Sequence, residues 1–232
     1  MSAVAAFADL STPLVADACV RIDVPLRAAP PGVAGVVGTT KVAGRVLPAR
    51  HYGSVDVFLE ACAAADAGEV LVIDNGGRED EACIGDLTVL EAQAAGLAAL
   101  VVWGFHRDTA ELVEIAFPVF SYGCYPRGPA RVDEREANAL VSARFGAHVV
   151  TSEDFVFADD DGILFVGAAA VADVLAAARQ IYEVERDQAR RLRAGVTLRQ
   201  QARFDEYLTR RGADPAYTFR HHLRRIGGAV EE

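Results

Sequence analysis

Two kinds of apolar pattern alternate along this chain. Residues 70–73 (VLVI) and 100–103 (LVVW) are unbroken apolar runs of strand length, rich in β-branched residues. Between them, residues 87–95 have helical spacing, with Leu87, Leu90, Glu91 and Ala94 at three- and four-residue steps. Gly76-Gly77 ends the first run, and Gly96 suits the position just past the helix. The stretch reads as strand, glycine turn, loop, helix and strand. It delivers Arg107 and Asp108 at the C-terminal end of the second strand, the edge at which α/β folds usually bind ligands.

The same reading extends along the rest of the chain. Residues 10–21 open a helix, with Thr12 as N-cap and Pro13 at the first helical position. Residues 29–38 are rich in Pro and Gly and read as a loop, and residues 40–48 alternate weakly, as a strand does. Residues 55–65 read as a helix with Val55, Phe58, Leu59 and Cys62 on one face. Asp108-Thr109-Ala110-Glu111 fits a capping box that opens another short helix. Residues 117–121, 147–150, 155–158 and 163–166 read as strands, the last two joined by the hairpin turn Asp159-Asp160-Asp161-Gly162. Residues 171–193 form the longest predicted helix, with Val171, Val174, Leu175, Ala178, Ile181 and Tyr182 on its apolar side and Gly195 at its end. Short helices over 200–208 and 217–226 follow, separated by residues 212–215. There is no internal repeat and no low-complexity segment.

A hydrophobic content of 52% over 232 residues is ample for a core. The net charge of −10 argues against a nucleic-acid binder, whose footprint would be basic. The longest apolar run, residues 96–105, is about half a membrane span. MSAVAAFADL has no basic n-region, so no signal peptide is expected and the expected location is cytoplasmic. Cys19, Cys62, Cys83 and Cys124 form no CxxC pair, as expected of small buried residues in a reducing compartment. Lys41 is the only lysine, and eleven of the 22 arginines lie between Arg186 and Arg225. The body is therefore strongly acidic and the tail mildly basic. Such a tail could lie against an acidic neighbouring subunit, or be a solvated helical face.

The candidate chemistry narrows by elimination. A Schiff-base enzyme would have only Lys41 to use, and nothing marks it as activated. No GxGxxG or Walker loop is present. His51, His106, His148, His221 and His222 lack zinc-ligand spacing, and the Asp159–161 run lacks the alternating ligands and closing Glu of a calcium loop. What remains is Gly85-Asp86 at a helix start and Arg107-Asp108 after a strand. A helix N-terminus offers free amides, here those of Leu87 and Thr88, to an anion. An arginine adds a bidentate donor for a carboxylate. One aspartate with waters and a substrate oxygen is a common way to hold magnesium. Together these would bind a small carboxylate beside a metal; as helix caps, Asp86 and Asp108 would need no ligand at all.

The motif resembles the RraA-like family, which includes the 4-hydroxy-4-methyl-2-oxoglutarate and 4-carboxy-4-hydroxy-2-oxoadipate aldolases. Aldolase members carry an Asp, twenty residues, then Arg-Asp; here these are Asp86, residues 87–106 and Arg107-Asp108. The flanks VLVIDNGG, IGD and VVWGFHRD match as well, and STPLVADA, FPVFSYG and FADDDGILFV follow the family's order. The resemblance covers roughly residues 10–195. It implies a compact, layered α/β domain of the swivelling β/β/α type with mixed sheets over residues 1–195. A helical C-terminal extension, 196–232, would pack on the same or a neighbouring subunit.

By the same resemblance the chain is expected to be a divalent-metal aldolase, a carbon-carbon lyase that needs no Schiff base. It would release pyruvate from a 4-hydroxy-2-oxo acid, and a related oxaloacetate decarboxylase activity is expected. Asp108 would hold Mg²⁺ or Mn²⁺. The amides around Gly85, Asp86, Leu87 and Thr88, with the Arg107 guanidinium, would hold the pyruvyl half, and Asp86 would orient a water. Helix-end amides contribute only ~0.3–2 kcal/mol to anion stabilisation, against the ~8–23 kcal/mol by which enzymes lower barriers, so a Lewis acid is the expected main contributor. Family members form trimers or hexamers with the site near a subunit interface. Glu185 is the candidate for a neighbour's carboxylate that assists proton transfer, or else a surface helix glutamate.

Two departures stand out. TSED (residues 151–154) replaces the usual Pro-Gly-Asp, and Trp103 stands where a small polar residue is common, which would narrow the pocket near Arg107. The tail could wrap a neighbouring subunit or cover the site. The competing readings are a non-catalytic regulatory protein of the ribonuclease-inhibitor type and a methyltransferase. An intact Asp86, Arg107 and Asp108 set is not needed by the former, and no glycine-rich nucleoside loop supports the latter.

Overall fold

The computed structural model describes residues 3–38 and 41–227. Helices α1 (Ala3–Phe7) and α2 (Thr12–Arg21) come first, then the two-residue strands β1 (Arg27–Ala28) and β2 (Ala34–Gly35), the long strand β3 (Val42–Arg50) and helix α3 (Asp56–Ala64). Strands β4 (Val70–Asp74) and β5 (Ala82–Ile84) lead into α4 (Asp86–Ala94), and β6 (Ala99–Trp103) and β7 (Phe105–His106) lead into α5 (Thr109–Ile115). Strands β8 (Val119–Ser121), β9 (Ser142–Phe145), β10 (His148–Thr151), β11 (Asp154–Asp159) and β12 (Gly162–Gly167) follow. The chain closes with α6 (Val171–Arg193), α7 (Leu198–Gln201), α8 (Phe204–Ala213) and α9 (Phe219–Ile226). Thr40, the expected start of β3, lies outside the described residues.

Eight strands make one mixed sheet in the order β1-β12-β11-β3-β4-β6-β8-β2. Its centre, β3-β4-β6-β8, is parallel. The β11–β12 hairpin adds to β3 antiparallel, with Asp159 paired to Gly162 across the expected turn. All five residues of β4 are buried, which is what an unbroken apolar run requires of a central strand. Alternate side chains go to opposite faces: Leu71, Ile73, Leu100 and Val102 join a core roofed by α3, α4 and α5, while Val70, Val72 and Val101 meet Phe120, Phe145 and Phe165 on the other face. Ala143 and Phe145 of β9 and Val150 of β10 enter that second core, so the β9–β10 hairpin forms a further β layer. A third cluster packs α1, α2 and α6 against Phe157, Leu164 and Val166 of the hairpin half. The result is the expected layered α/β architecture.

Several local expectations are corrected. Ser11, not Thr12, occupies the N-cap of α2; the Thr12 amide and hydroxyl instead donate to the buried Asp159 carboxylate at 2.8 and 2.6 Å, tying the helix to the hairpin turn. Residues 29–38 contain the edge strand β2. The buried face of α3 is Val57, Phe58, Ala61 and Cys62, with Val55 and Leu59 about half exposed. The buried face of α4 is Thr88, Val89 and Ala92, and the Leu87–Leu90–Glu91–Ala94 stripe faces outward. Gly96 ends α4 at φ +78, the left-handed conformation expected of it. Helix α6 has its predicted bounds, with Val171, Val174, Leu175, Ala178 and Ile181 buried. The tail helix expected over 200–208 is two helices, α7 and α8, and α8 runs on through Gly212. Three of the cysteines are buried, but Cys124 is exposed.

Candidate functional site

The 20-residue gap between Asp86 and Arg107 has a geometric meaning. Strands β5 and β7, three and two residues long, pair in parallel, and α4 and β6 form the connection between them. The Arg107 amide donates to the Ile84 carbonyl at 3.0 Å. The two strands therefore end side by side, one delivering Gly85-Asp86 and the start of α4, the other Arg107-Asp108 and the start of α5. Neither strand is long enough to leave a pattern in the sequence.

Asp108 does not cap its own helix. It stands at the N-cap of α5 in a left-handed conformation (φ 59, ψ 42) with no side-chain capping bond, so the expected capping box does not form. A left-handed non-glycine residue costs about 1–3 kcal/mol, a strain that clusters at functional sites. Its carboxylate turns to the start of the other helix, with Oδ2 3.4 Å from the Asp86 amide and 3.3 Å from Arg107 Nε. Gly85 makes room for it: a Cβ there would lie 2.2 Å from Asp108 Oδ2 and 3.2 Å from Arg107 Nε. Asp86 is the first helical residue rather than the N-cap, and its Oδ1 accepts from the Leu87 amide at 2.7 Å. Both plain-cap readings thus fail. Asp86, Arg107, Asp108 and the first turn of α4 form one cluster, with Leu87 exposed and Thr88 buried.

The supporting groups were not legible in the sequence. His106 is buried beneath the turn, its Nδ1 2.7 Å from Ser121 Oγ and its Nε2 2.9 Å from Thr109 Oγ1, pinning both sides of Arg107-Asp108. Burial pushes its pKa below the usual histidine value, although the Asp108 carboxylate opposes this. The segment after β8 passes over Arg107: Ala82 donates to the Arg127 carbonyl at 2.8 Å, and a Cβ on Gly128 would meet Arg107 Nη1 at 2.9 Å. The same segment brings Arg131 onto the buried Glu81, with Nη2 and Nε at 2.9 and 3.2 Å from its Oε1. Arg131 also reaches Asn75 Oδ1, which contacts the buried His51 Nδ1 at 2.8 Å. Desolvation holds the His51 pKa below its ordinary value. This knot lies immediately upstream of β5 and fixes the strand that presents Gly85.

Other candidates lie elsewhere. Glu185, on α6, lines a recess of about 230 Å³ with Asp9, Asp17, Lys41 and Arg186. Neither it nor the recess of about 320 Å³ between α2 and the β12 turn includes Asp86, Arg107 or Asp108. Those side chains sit on an open shelf, with Arg107 half exposed and Asp108 one-third exposed. Trp103 does not crowd Arg107; its indole packs against Gly77 and Phe145 beneath the Arg144 guanidinium, on the opposite face of the sheet from α4. Asp154 of TSED pairs with Arg27 at 2.5 Å and closes its own loop by accepting from the Thr151 amide. Lys41 is bound to the carbonyls of Ala8 and Leu10, in keeping with a structural lysine.

A divalent cation can be tested against this geometry. The donor at the shelf is a carboxylate oxygen brought against a glycine and an amide. No group of three or more His, Cys, Asp or Glu side chains suited to a metal occurs among the described residues. A cation at the shelf would have to be a hard one that takes most of its ligands from water and substrate oxygens, since the side chains there do not make a closed zinc cage. No helix among the described residues is long and apolar enough to cross a membrane.

The chain is similar to proteins of one known family. The profile of the RraA-like family, described as Aldolase/RraA, matches residues 12–165. A protein of Alcanivorax borkumensis named "Putative 4-hydroxy-4-methyl-2-oxoglutarate aldolase" is 35% identical over 97 residues, 42% of this chain and 59% of the relative's length. A crystal structure of an uncharacterised protein from Pseudomonas syringae pv. tomato superposes with a TM-score of 0.74 at 23% identity, over 85% of this chain and 95% of the other. The RNA-processing inhibitor RraA from Thermus thermophilis gives a TM-score of 0.54 at 28% identity, over 61% and 85%.

Proposed function

Because the chain belongs to the RraA-like family, we propose that it is a divalent-metal-dependent aldolase that releases pyruvate from a 4-hydroxy-2-oxo acid. The observation that carries this reading is the direction of the Asp108 carboxylate, turned from its own helix onto the Gly85-Asp86 turn beside Arg107. Relatives that carry an aldolase name support the same reaction class.

Asp108 would hold Mg²⁺ or Mn²⁺. When bound, such an ion supplies Lewis-acid stabilisation of the negative charge that develops on the 2-oxo oxygen. Arg107 carries a half-exposed guanidinium that pairs with the carboxylate of the pyruvyl half. The first-turn amides of α4 add the positive end of a helix dipole to the same group. Asp86 lies beside them and orients the water that takes the proton from the 4-hydroxyl as the C3–C4 bond breaks. The bond's electron pair passes to the pyruvyl half, and C3 is then protonated to give pyruvate. Glu185 sits in another recess of its own protomer, so it would serve in proton transfer only across a subunit boundary. Decarboxylation of oxaloacetate would develop the same charge at the same place.

The test is pyruvate release, coupled to lactate dehydrogenase, from 4-hydroxy-4-methyl-2-oxoglutarate and from oxaloacetate, with Mg²⁺ and with EDTA. Turnover that EDTA abolishes and that Arg107→Ala and Asp108→Ala both lose is the expected result. Wild-type turnover untouched by either substitution would overturn the assignment of the site. The likeness to the Thermus inhibitor favours a second reading, a regulatory protein that binds a ribonuclease. That reading gains if a ribonuclease is captured stoichiometrically and no lyase activity is found.

A further inference from the structure

Helix α5 starts without the bond that usually closes a helix. Asp108 stands at its N-cap, where an aspartate normally accepts from the second or third helical amide. Here the carboxylate is directed elsewhere, 3.4 Å from the Asp86 amide and 3.3 Å from Arg107 Nε, and no side-chain capping bond is made. The Asp108 backbone is also left-handed, a conformation that a non-glycine residue keeps only where its surroundings over-determine it. Some other group has to tie this helix start to the chain before it.

The His106 ring is in place to do so. Its Nε2 lies 2.9 Å from Oγ1 of Thr109, the first residue of α5, so the ring spans the turn that holds Arg107 and Asp108. Residues three apart point to opposite faces of an extended chain, so this bond forms only while the turn between them is folded back. The other nitrogen, Nδ1, lies 2.7 Å from Oγ of Ser121 at the end of β8. The main chain of His106 is itself fixed. Its amide donates to the Gly123 carbonyl at 2.9 Å, and its carbonyl accepts from the Tyr125 amide at 2.8 Å. A neutral imidazole offers one donor and one acceptor and a hydroxyl serves as either, so both tautomers satisfy both bonds. On the far side of the turn, the Asp108 carbonyl accepts from the Leu112 amide at 2.9 Å, so Asp108 moves with the first turn of α5. The ring is 3% exposed and reaches no ligand; what it does to the site it does through Asp108.

We propose that His106 is a positioning residue. By bridging Ser121 and Thr109 it replaces the tie that Asp108 no longer makes, holds Asp108 left-handed, and keeps its carboxylate on the Gly85-Asp86 turn. The three side chains form a clamp: Ser121 anchors the ring in the sheet, the ring grips Thr109, and Thr109 carries the first turn of α5. The inference rests on the proposed function only for what the carboxylate does there; the backbone geometry it explains is present without a metal. Thr109 is exposed, and water would satisfy its hydroxyl equally well. Its bond to the ring therefore serves the turn and not the threonine.

The experiment uses the full chain as wild type, Thr109→Val and Thr109→Ser. Because Thr109 is exposed, valine removes the hydroxyl without opening a cavity, and serine restores it. The first readout is taken without metal, by NMR: hydrogen exchange of the Asp86 amide, and the Asp108 Cα and Cβ shifts that report a left-handed backbone. Thr109→Val should speed Asp86 exchange roughly two- to tenfold, the worth of one hydrogen bond, and move the Asp108 shifts away from left-handed values. Thr109→Ser should match the wild type in both. The second readout is Mn²⁺ affinity by electron paramagnetic resonance, which should weaken by a similar factor in Thr109→Val and further in Asp108→Ala. A histidine that only supports the core would give equal speeding at Asp86 and at the core amides of β4 and β6, with the Asp108 shifts unmoved, and that result would overturn the proposal. So would wild-type Asp86 exchange in Thr109→Val, or a serine variant that fails to restore it. The expected NMR changes beside Mn²⁺ binding that Asp108→Ala leaves untouched would uphold the clamp and remove the metal role assigned to Asp108.

Discussion

Gly85→Ala isolates the geometry of the site from the stability of the fold. Gly85 has φ −152 and ψ −167, an extended conformation open to any residue, so alanine brings no backbone strain. Its methyl would start 2.2 Å from Asp108 Oδ2, and contacts under 3.0 Å are essentially never tolerated. The carboxylate must therefore retreat by close to 1 Å, and it can, because the side chain is one-third exposed. The energetic cost of that swing, with the replacement of Gly by Ala at an N-cap, is within about 1–1.5 kcal/mol, a fall in Tm of roughly 2–6 °C for a chain this size. Misplacement of a reacting group by 1 Å costs about 10²-fold in rate, or about 2.7 kcal/mol of transition-state stabilisation. The expected result is a nearly intact melting curve, a loss in kcat/KM of about a hundredfold, and Mn²⁺ binding weakened in an electron paramagnetic resonance titration. Gly167→Ala is the control, because its φ of −58 suits any residue and its methyl would meet nothing within 4 Å. Gly85→Ala with wild-type turnover and Mn²⁺ affinity, alongside an inactive Asp108→Ala, would refute the claim that this close approach builds the site.

Other consequences follow from the buried polar groups. Arg131→Ala should destabilise by about 3 kcal/mol or more in urea unfolding, because it leaves the buried Glu81 carboxylate, among the described residues, with Arg78 Nε at 3.6 Å and the His51 ring at 3.9 Å as its remaining ion-pair neighbours. Pairing it with Glu81→Gln should recover most of that loss. His51 and His106 both have pKa values depressed by burial, so below the ordinary value near 6.5 the unfolded chain takes up protons that the folded chain refuses. Stability should therefore fall as pH drops from about 7 toward 5, by at most ~1.4 kcal/mol per pH unit for each histidine, and the slope should flatten in His51→Gln. Thr12→Val should cost about 1–3 kcal/mol in the same unfolding assay by removing the hydroxyl that satisfies buried Asp159. A loss below experimental error would show that the Thr12 and Asp161 amides satisfy that carboxylate by themselves.

Periodicity and chain order carried much of this protein in the sequence. The unbroken apolar runs at β4 and β6 could only be central strands, since such a run leaves no polar face for water. Val171–Arg193 carried its own bounds, and Asp159 to Gly162 its own turn. The two halves of the site were legible as Asp86 and Arg107-Asp108, because residue type and spacing are linear properties. What the sequence could not decide was direction. The helices α3 and α4 were legible as helices, but which face turns inward depends on what lies beneath, and the sheet selected Val57, Val89 and Ala92. Strands β5 and β7 are too short for a pattern and exist only because each pairs with the other. Glu81 and Arg131, fifty residues apart, could be matched only once the chain had folded back over β5. Asp108 shows the division most clearly: in the sequence it reads as an ordinary helix cap, and only the approach of Gly85 through a parallel strand pair gives its carboxylate somewhere else to point.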